Sequence, residues 1–238
     1  MKNIVVLTGA GISAESGLKT FRDSNGLWEG HDVMEVATPE GFQRNPELVL
    51  EFYNQRRRQL LTVEPNSAHK ALANLESHFN VNIVTQNVDD LHERAGSSNV
   101  LHLHGELLKA RSVNSENEIL DCKNDILLGD TCVNGYQLRP HIVWFGEAVP
   151  LLDKAIEITK NADYLIIIGT SMQVYPAASL IDFVKPSTPI FFIDPKPALA
   201  NKNNVTVIAD TAVNGVPNLV ASLIDRLFLF ALPTQQDH

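Results

Sequence analysis

Cysteine is nearly absent from this sequence: Cys122 and Cys132 are the only two in 238 residues. That excludes a disulfide framework and leaves too few thiols for a four-cysteine zinc site. Long apolar runs are missing as well. At the N-terminus one lysine precedes only Ile4 to Leu7 before Thr8-Gly9, roughly half of what a secretory h-region needs. No run approaches the roughly 20 apolar residues of a membrane span. Together these absences point to a cytoplasmic, reducing compartment with no membrane partner. Positive charge is also short, since 19 Lys and Arg stand against 28 Asp and Glu, a formal charge of −9. That balance excludes a general electrostatic grip on nucleic acid and fits a cationic partner better.

What is present is an ordinary globular composition, 44% hydrophobic and 20% charged. It suffices for one large core or for one large and one small domain. Short apolar runs alternate with helical patterns, which predicts an α/β fold: a Rossmann-like parallel sheet with helices on both faces. Strands are expected at Asn3–Thr8, Val81–Thr85, Ile142–Phe145, Tyr164–Gly169, Ile190–Ile193 and Val205–Ile208. Their continuous Val, Ile, Leu and Phe character implies burial on both sides. Ser67–His78 and Leu151–Lys160 read as crossover helices. The last helix is placed over about Pro217–Leu232, ending in Leu227-Phe228-Leu229-Phe230, which reads as docked on the core ahead of an interface, with Thr234–His238 as a frayed tail.

Two stretches do not fit the sheet. Residues 18–65 hold no convincing strand, and residues 109–140 are polar with scattered Gly and Asn. Both are too long for simple connections. The division that follows assigns 1–30, 66–108 and 139–238 to the sheet domain, and 31–65 with 109–138 to a small second domain.

Gly9-Ala10-Gly11-Ile12-Ser13-Ala14 follows the first strand and matches G-x-G-x-x-G/A. Glycines there let the backbone approach a pyrophosphate, and a helix N-terminus supplies donors. A conventional dinucleotide fold would show a second strand with an acidic end near residue 30. Here that region reads Thr20-Phe21-Arg22-Asp23, then Gly26-Leu27-Trp28-Glu29. The phosphate half of the fold is present and the ribose half departs, which argues against a conventional dehydrogenase.

Gln86-Asn87-Val88-Asp89 begins where a strand ends, so it falls on the crevice of a doubly wound sheet. Amides and a carboxylate there suit a carboxamide and ribose hydroxyls, while helix capping accounts for one of Asn87 and Asp89. In Leu101-His102-Leu103-His104-Gly105-Glu106, alternation puts both histidines on one face. They read as a metal pair, a general base, or ordinary hydrogen-bonded rings. No Cys or acidic partner stands at ligand spacing, which places the metal reading last, and spacing alone does not separate the other two.

Leu48–Leu61 reads as one helix. At about 100° per residue, Val49, Phe52, Tyr53, Arg56 and Leu60 share an arc of roughly 100°, with Arg56 near its centre. Arg58 projects to the opposite side and Arg57 lies at the flank. A guanidinium on a buried stripe needs an anionic partner, either an internal carboxylate or that of a ligand. Tyr53, three residues before Arg56, lies on the same face.

Taken together these segments resemble the sirtuin family of NAD-dependent protein lysine deacylases. The carrying motifs are Gly9–Ser13 through Phe21-Arg22, Thr85–Asp89, His104-Gly105, Val143–Glu147, Gly169-Thr170-Ser171 and Val174-Tyr175-Pro176. Within the family the likeness is to the class that removes succinyl and malonyl groups, through Tyr53, Arg56 and the small residue Ala37.

The resemblance implies NAD as cofactor, with its pyrophosphate on Gly9, Ala10, Gly11 and Ser13. Gln86, Asn87 and Asp89 would hold the nicotinamide end, and Phe21 and Arg22 would complete it. Gly169, Thr170, Ser171, Asp194 and Ala212 would contact the adenosine half. The acyl oxygen of a substrate lysine would attack the nicotinamide ribose, with His104 as general base and Asn87 assisting. Val143, Phe145, Gly146 and Glu147 would face Val174 and Tyr175 across an added peptide strand. Acyl-lysine proteins or peptides are the implied partners.

Most sirtuins also bind a structural zinc through four cysteines. Ala110-Arg111-Ser112-Val113 stands where the first would be, so no zinc is expected, and packing or hydrogen bonds must hold residues 110–138 if they are ordered. Phe191-Phe192 stands where many members carry an Asn before the acidic residue. Two alternatives remain: an ADP-ribosyltransferase or other NAD-consuming enzyme, and a non-catalytic NAD-sensing module.

Overall fold

The computed structural model describes residues 1–19, 27–28 and 30–231. In chain order the elements begin with strands β1 (Asn3–Thr8), β2 (Leu27–Trp28) and β3 (His31–Asp32). Helices α1 (Val33–Val36), α2 (Pro39–Arg44), α3 (Pro46–Leu60) and α4 (Ser67–Leu75) follow. Next come β4 (Asn80–Thr85), α5 (Leu91–Arg94), β5 (Val100–His102), β6 (Gly105–Ser112), β7 (Ser115–Asp121) and β8 (Leu138–Ile142). The chain closes with α6 (Leu152–Lys160), β9 (Tyr164–Ile168), β10 (Ile190–Ile193), β11 (Val205–Ile208) and α7 (Ala212–Ala231).

Six strands form one parallel sheet in the order β11-β10-β9-β1-β4-β5. On β1, Ile4 and Val6 enter one apolar cluster while Val5 and Leu7 enter another on the opposite face. Helices α4 and α7 supply Leu72, Leu75, Val216 and Leu219 to the first cluster. Helix α6 and the 3-10 segment Ala177–Phe183 supply Ala155, Ala177 and Leu180 to the second. Each such side chain is worth about 1.5–3 kcal/mol when fully buried, so strands apolar on both sides require helices on both faces. The expected doubly covered parallel sheet is what the structure shows. Among the described residues no helix is long and apolar enough to cross a membrane.

The strand placed at Ile142–Phe145 needs correction. Only Ile142 lies in a strand, and β8 pairs antiparallel with β6 in a separate three-stranded sheet, β7-β6-β8. Residues 143–145 leave that sheet for other partners: the Val143 amide donates to the His104 carbonyl and the Phe145 amide to Ala37. The antiparallel sheet also extends beyond residues 109–138 on both sides.

The start of α7 differs too. Pro217 reads as a first-turn residue, yet it lies inside a helix that begins at Ala212. A proline at 217 cannot donate to the Val213 carbonyl four residues back. The Ser67 hydroxyl, at the head of α4, donates to that carbonyl instead at 2.8 Å. The 227–230 side chains and the 232–238 tail fall outside the described residues.

Helix α3 is capped by Asn45, whose side chain accepts the Leu48 amide, with Pro46 in the first turn. The three consecutive arginines separate three ways. Arg58 is exposed and paired with Glu51 and Asp125. Arg56 is half-buried. Arg57, read from periodicity as a flank residue, is fully buried, because β6 and the segment around Ile126 enclose α3 on a second side. Its Nε donates to the Leu107 carbonyl at 3.1 Å and its Nη1 to Asn54 Oδ1 at 2.7 Å. The Asn54 amide in turn donates to the Ile126 carbonyl and accepts the Ile126 amide, both at 2.9 Å.

Residues 122–137 are tied down by a second side-chain amide. Gln137 accepts the Gly129 amide at 2.7 Å and donates to the Leu127 and Leu138 carbonyls, both at 3.0 Å. Cys132 is buried and Cys122 half-buried, and the Cys122 thiol donates to the Asn124 carbonyl. Among the described residues no group of three or more His, Cys, Asp or Glu is placed to hold a metal. Asn54→Ala strips a buried amide and a buried carbonyl of Ile126 of their partners and leaves Arg57 one acceptor short. Urea denaturation should show a loss of about 2–4 kcal/mol, with faster amide exchange at Ile126. Exchange at Ile126 equal to wild type would contradict the assigned role of Asn54.

Candidate active site

Strands β1, β4, β9 and β10 end at Thr8, Thr85, Ile168 and Ile193, and the next residue of each lines a single cavity. Those residues are Gly9, Gln86, Gly169 and Asp194. The cavity therefore opens at the carboxyl edge of the sheet, where the chain switches from one side of β1 to the other. Its volume is about 560 Å³.

The glycines of the first turn serve the protein itself. A Cβ on Gly11 would lie 2.6 Å from Gly169 Cα, and one on Gly9 would lie 2.8 Å from the Gly169 carbonyl oxygen. The Gly11 amide donates to that carbonyl at 2.8 Å. Gly169 takes a φ of 60°, in the left-handed region. After the turn come two short 3-10 segments, Ala10–Ile12 and Ala14–Ser16, so the regular helix anticipated behind the glycines is not formed.

Beneath the cavity lies a buried polar layer. The Ser13 hydroxyl donates to Asp89 Oδ2 at 3.0 Å and accepts from Asn87 Nδ2 at 3.2 Å. Asp89 Oδ1 accepts the Leu91 amide at 3.2 Å from one residue before the N-cap of α5, which is Asp90, so neither Asn87 nor Asp89 is the cap. Burial pushes the Asp89 carboxyl up to about 6, against the Leu91 and Ser13 hydrogen bonds that favour its charge. The Asn87 amide donates to Thr85 Oγ1 at 3.0 Å, and Thr85 Oγ1 also accepts from Thr8 at 2.8 Å. Thr8 Oγ1 then accepts from His92 Nε2 at 3.1 Å. Burial holds His92 well below its ordinary pKa, and lowers His69 to about 4.

His104 Nδ1 lies 3.1 Å from the Gln86 carbonyl, which can only accept, so Nδ1 carries the proton and Nε2 keeps its lone pair. Burial lowers the His104 pKa despite that hydrogen bond, leaving a neutral ring that lines the cavity. Gln86 Nε2 donates to Thr170 Oγ1 at 3.2 Å, bridging the turns after β4 and β9.

At the other end the wall is aromatic. Trp28, Tyr53 and Trp144 line it, with Tyr53 edge-on to Phe52 at 5.1 Å. Trp144 Nε1 donates to the Tyr53 hydroxyl at 3.0 Å. Burial raises the Tyr53 pKa, so the phenol keeps its proton as a donor. Arg56 enters the same cavity with its guanidinium 4.2 Å from the Phe52 ring centroid. Ala37 closes that side with a small, buried methyl.

The cavity gathers most of the site residues anticipated from sequence. The phosphate-turn group Gly9, Ala10, Gly11 and Ser13 lies along it, as do Gly169, Thr170, Ser171, Asp194 and Ala212. Val143, Phe145, Gly146, Glu147, Val174 and Tyr175 border its mouth. Phe21 and Arg22 lie outside the described residues. Two of the backbone groups at the mouth are committed to their own turns: the Glu147 amide donates to Trp144 and the Val174 carbonyl accepts from Ala178. The Glu147 carboxylate is spoken for as well, held by Arg139 and Arg111 at 2.7 and 3.2 Å. Arg139 lies over the Trp144 ring at 3.3 Å and so fixes the indole that orients Tyr53. Sequence reasoning passed over Trp144, Leu107 and Thr211, which also line the cavity. The buried Thr211 hydroxyl has no partner among the described residues.

A parallel sheet whose strand ends, glycine turn and amide cluster converge on one deep cleft defines a nucleotide-binding α/β protein. The Sir2 family pattern matches residues 9–176. An "NAD-dependent protein deacylase" of Helicobacter pylori is 61% identical over 226 residues, which cover 94% of this chain and 99% of that one. A Sir2 homologue solved with NAD superposes with a TM-score of 0.85 at 39% identity, covering 95% of this chain and 91% of the other. A Sir2 protein bound to acetylated peptide gives 0.75 at 27% identity, covering 95% and 93%. The chain belongs to the Sir2 family.

The polar layer makes a stability prediction. Asp89 has a folded pKa of about 6 against 3.8 when unperturbed. The folded state is thus favoured while the carboxyl is protonated and loses that advantage as pH rises from about 4 through 6. Asp89→Asn should therefore stabilise the protein by about 2–3 kcal/mol near pH 8, with the gain shrinking by about half near pH 5. Urea denaturation at the two pH values checks it. An equal gain at both would contradict a buried, desolvated carboxyl.

Proposed function

We propose that this chain is an NAD-dependent protein lysine deacylase whose preferred substrates carry an acidic acyl group, succinyl or malonyl. The deacylase half follows from membership of the Sir2 family and from relatives bearing that name. The polar groups of the cleft fit NAD: amides at Gln86 and Asn87, hydroxyls at Thr170 and Ser171, and the buried hydroxyl of Thr211, which has no partner among the described residues. When bound, NAD supplies an electrophilic ribose carbon and, once nicotinamide leaves, the ADP-ribose that accepts the acyl group.

This chain's residues then have distinct tasks. Gln86 and Asn87, fixed at the end of β4, orient the nicotinamide ribose, and Asp89 holds Ser13 and so the phosphate turn. His104 takes a ribose hydroxyl proton at Nε2, which a neutral ring with its Nδ1 proton on Gln86 is set to do. The aromatic wall excludes water from the acyl carbonyl, and Val143–Glu147 with Val174 and Tyr175 receive the peptide on either side.

The acyl preference rests on one observation. The Tyr53 hydroxyl already accepts from Trp144, so its own proton is available to an anion, and Arg56 enters the same cavity one helical turn away. Phenol and guanidinium together make a two-point receiver for a carboxylate at the end of an acyl chain. Deacylation of matched succinyl-lysine and acetyl-lysine peptides tests it by mass spectrometry. Arg56→Met should lower succinyl turnover about ten- to a hundredfold, the effect of losing a charge-assisted contact worth roughly 1.5–3 kcal/mol, while acetyl turnover persists. Equal loss on both peptides would make Arg56 structural. NAD consumption with neither acyl group removed would replace deacylation by ADP-ribosyl transfer.

A further inference from the structure

Four histidines, His69, His92, His102 and His104, lie in or beside the polar layer, and one of them is placed unlike the others. His102 Nδ1 lies 3.0 Å from the Asn87 carbonyl and Nε2 lies 2.8 Å from Glu93 Oε1. Both neighbours are acceptors. A neutral imidazole has a single N–H, so either tautomer would leave a nitrogen lone pair facing an oxygen at hydrogen-bond distance. Only the imidazolium satisfies both sides. His104 has one such contact, to Gln86, and its other nitrogen has no partner among the described residues.

We propose that His102 is a positioning residue which, as an imidazolium clamped by Glu93, holds the Asn87 peptide in place for the reaction. The proposal rests on the reading of Asn87 as part of the NAD site. Asn87 is then fixed at three points: its amide on Thr85, its carbonyl on His102 and its side chain on Ser13. Removing the carbonyl contact releases the peptide plane that joins Asn87 to Val88.

The surroundings agree. From α5, Glu93 and His92 face the ring; from the loop after β4, Asp89 does; from β6, Glu106 does; Lys109 acts on Glu93. Burial opposes the charged ring, but Glu93 and the Asn87 carbonyl outweigh it and hold the His102 pKa above its ordinary value. Glu93 is held low by the same contact, against its own burial. Deprotonation at alkaline pH turns the Nε2 lone pair onto a carboxylate, and the ring must swing away or let go of Asn87. One loop is thus held by two histidines in opposite states, charged at 102 for position and neutral at 104 for base chemistry.

The test pairs a spectroscopic and a kinetic readout. In 15N spectra of imidazole-labelled enzyme, with the signal assigned through His102→Leu, both His102 nitrogens should carry protons near pH 7 while His104 is neutral. In parallel, kcat/KM for NAD should fall about tenfold as the His102 ring loses its proton. Glu93→Gln should abolish that alkaline fall, because a carboxamide N–H can meet the Nε2 lone pair and the neutral ring then keeps Asn87. His102→Leu should lower kcat/KM for NAD about tenfold near neutral pH, converge with wild type once the wild-type ring has lost its proton, and leave the succinyl-to-acetyl ratio unchanged. A neutral His102 near pH 7, or the same alkaline fall in Glu93→Gln as in wild type, would overturn the proposal. A wild-type chain that consumes no NAD would overturn the deacylase reading and the positioning role with it, while the spectra still decide the charge of the ring.

Discussion

The site depends on how closely two turns can approach at the carboxyl edge of the sheet. The turn after β1 and the turn after β9 meet through a 2.8 Å hydrogen bond from Gly11 to Gly169, with no room for a side chain between them. Central β1 can then have β4 on one side and β9 on the other with their ends level, and the residues that follow all three strands face one cleft. The phosphate-loop pattern of glycines is thus satisfied by backbone packing before any ligand is considered. Whatever approaches these turns meets backbone already packed against backbone, with the Gly11 amide and Gly169 carbonyl bonded to each other.

Directly under that floor the protein buries a row of hydroxyls, amides and imidazoles where apolar side chains would pack more cheaply. The arrangement works because its donors converge on one acceptor: His92 donates to Thr8, Thr8 to Thr85, and the Asn87 backbone amide to Thr85 from the other side. Ser13 closes a second chain between Asn87 and Asp89. A carboxyl buried there is held against its preference, as its raised pKa records. Such a layer gives precise orientation to the groups above it at the expense of stability. The aromatic end of the cleft is built differently, from rings locked by one salt-bridged arginine, Arg139, over Trp144.

Much of this could be read in the residues, and the parts that could not share a cause. Continuous apolar runs identified β1, β4, β9, β10 and β11, since a strand buried on both faces has no polar alternation to blur it. Motif residues at their ends fell together because parallel strands bring their carboxyl ends to one edge. The β7-β6-β8 sheet was illegible: its strands mix charged and apolar residues without strict alternation, and register shifts interrupt both pairings of β6. Arg57 was misplaced because a helix enclosed on two sides has two buried stripes, and a single moment reports only one. Pro217 marked a helix start that Ser67, 150 residues earlier in the chain, makes unnecessary. Glu147 was read from its motif as part of a backbone edge, and nothing in that motif showed that its carboxylate is bound by two arginines.

The central claim is that one cleft at this edge joins an NAD site to a carboxylate receiver made by Tyr53 and Arg56. A crystal structure of the enzyme with ADP-ribose and a succinyl-lysyl peptide tests it most directly. The account predicts the succinyl carboxylate within about 3 Å of both the Tyr53 hydroxyl and the Arg56 guanidinium, with the ribose against Gln86, Asn87 and His104. A carboxylate turned to solvent or bound elsewhere, with the Tyr53–Trp144 contact undisturbed, would contradict it.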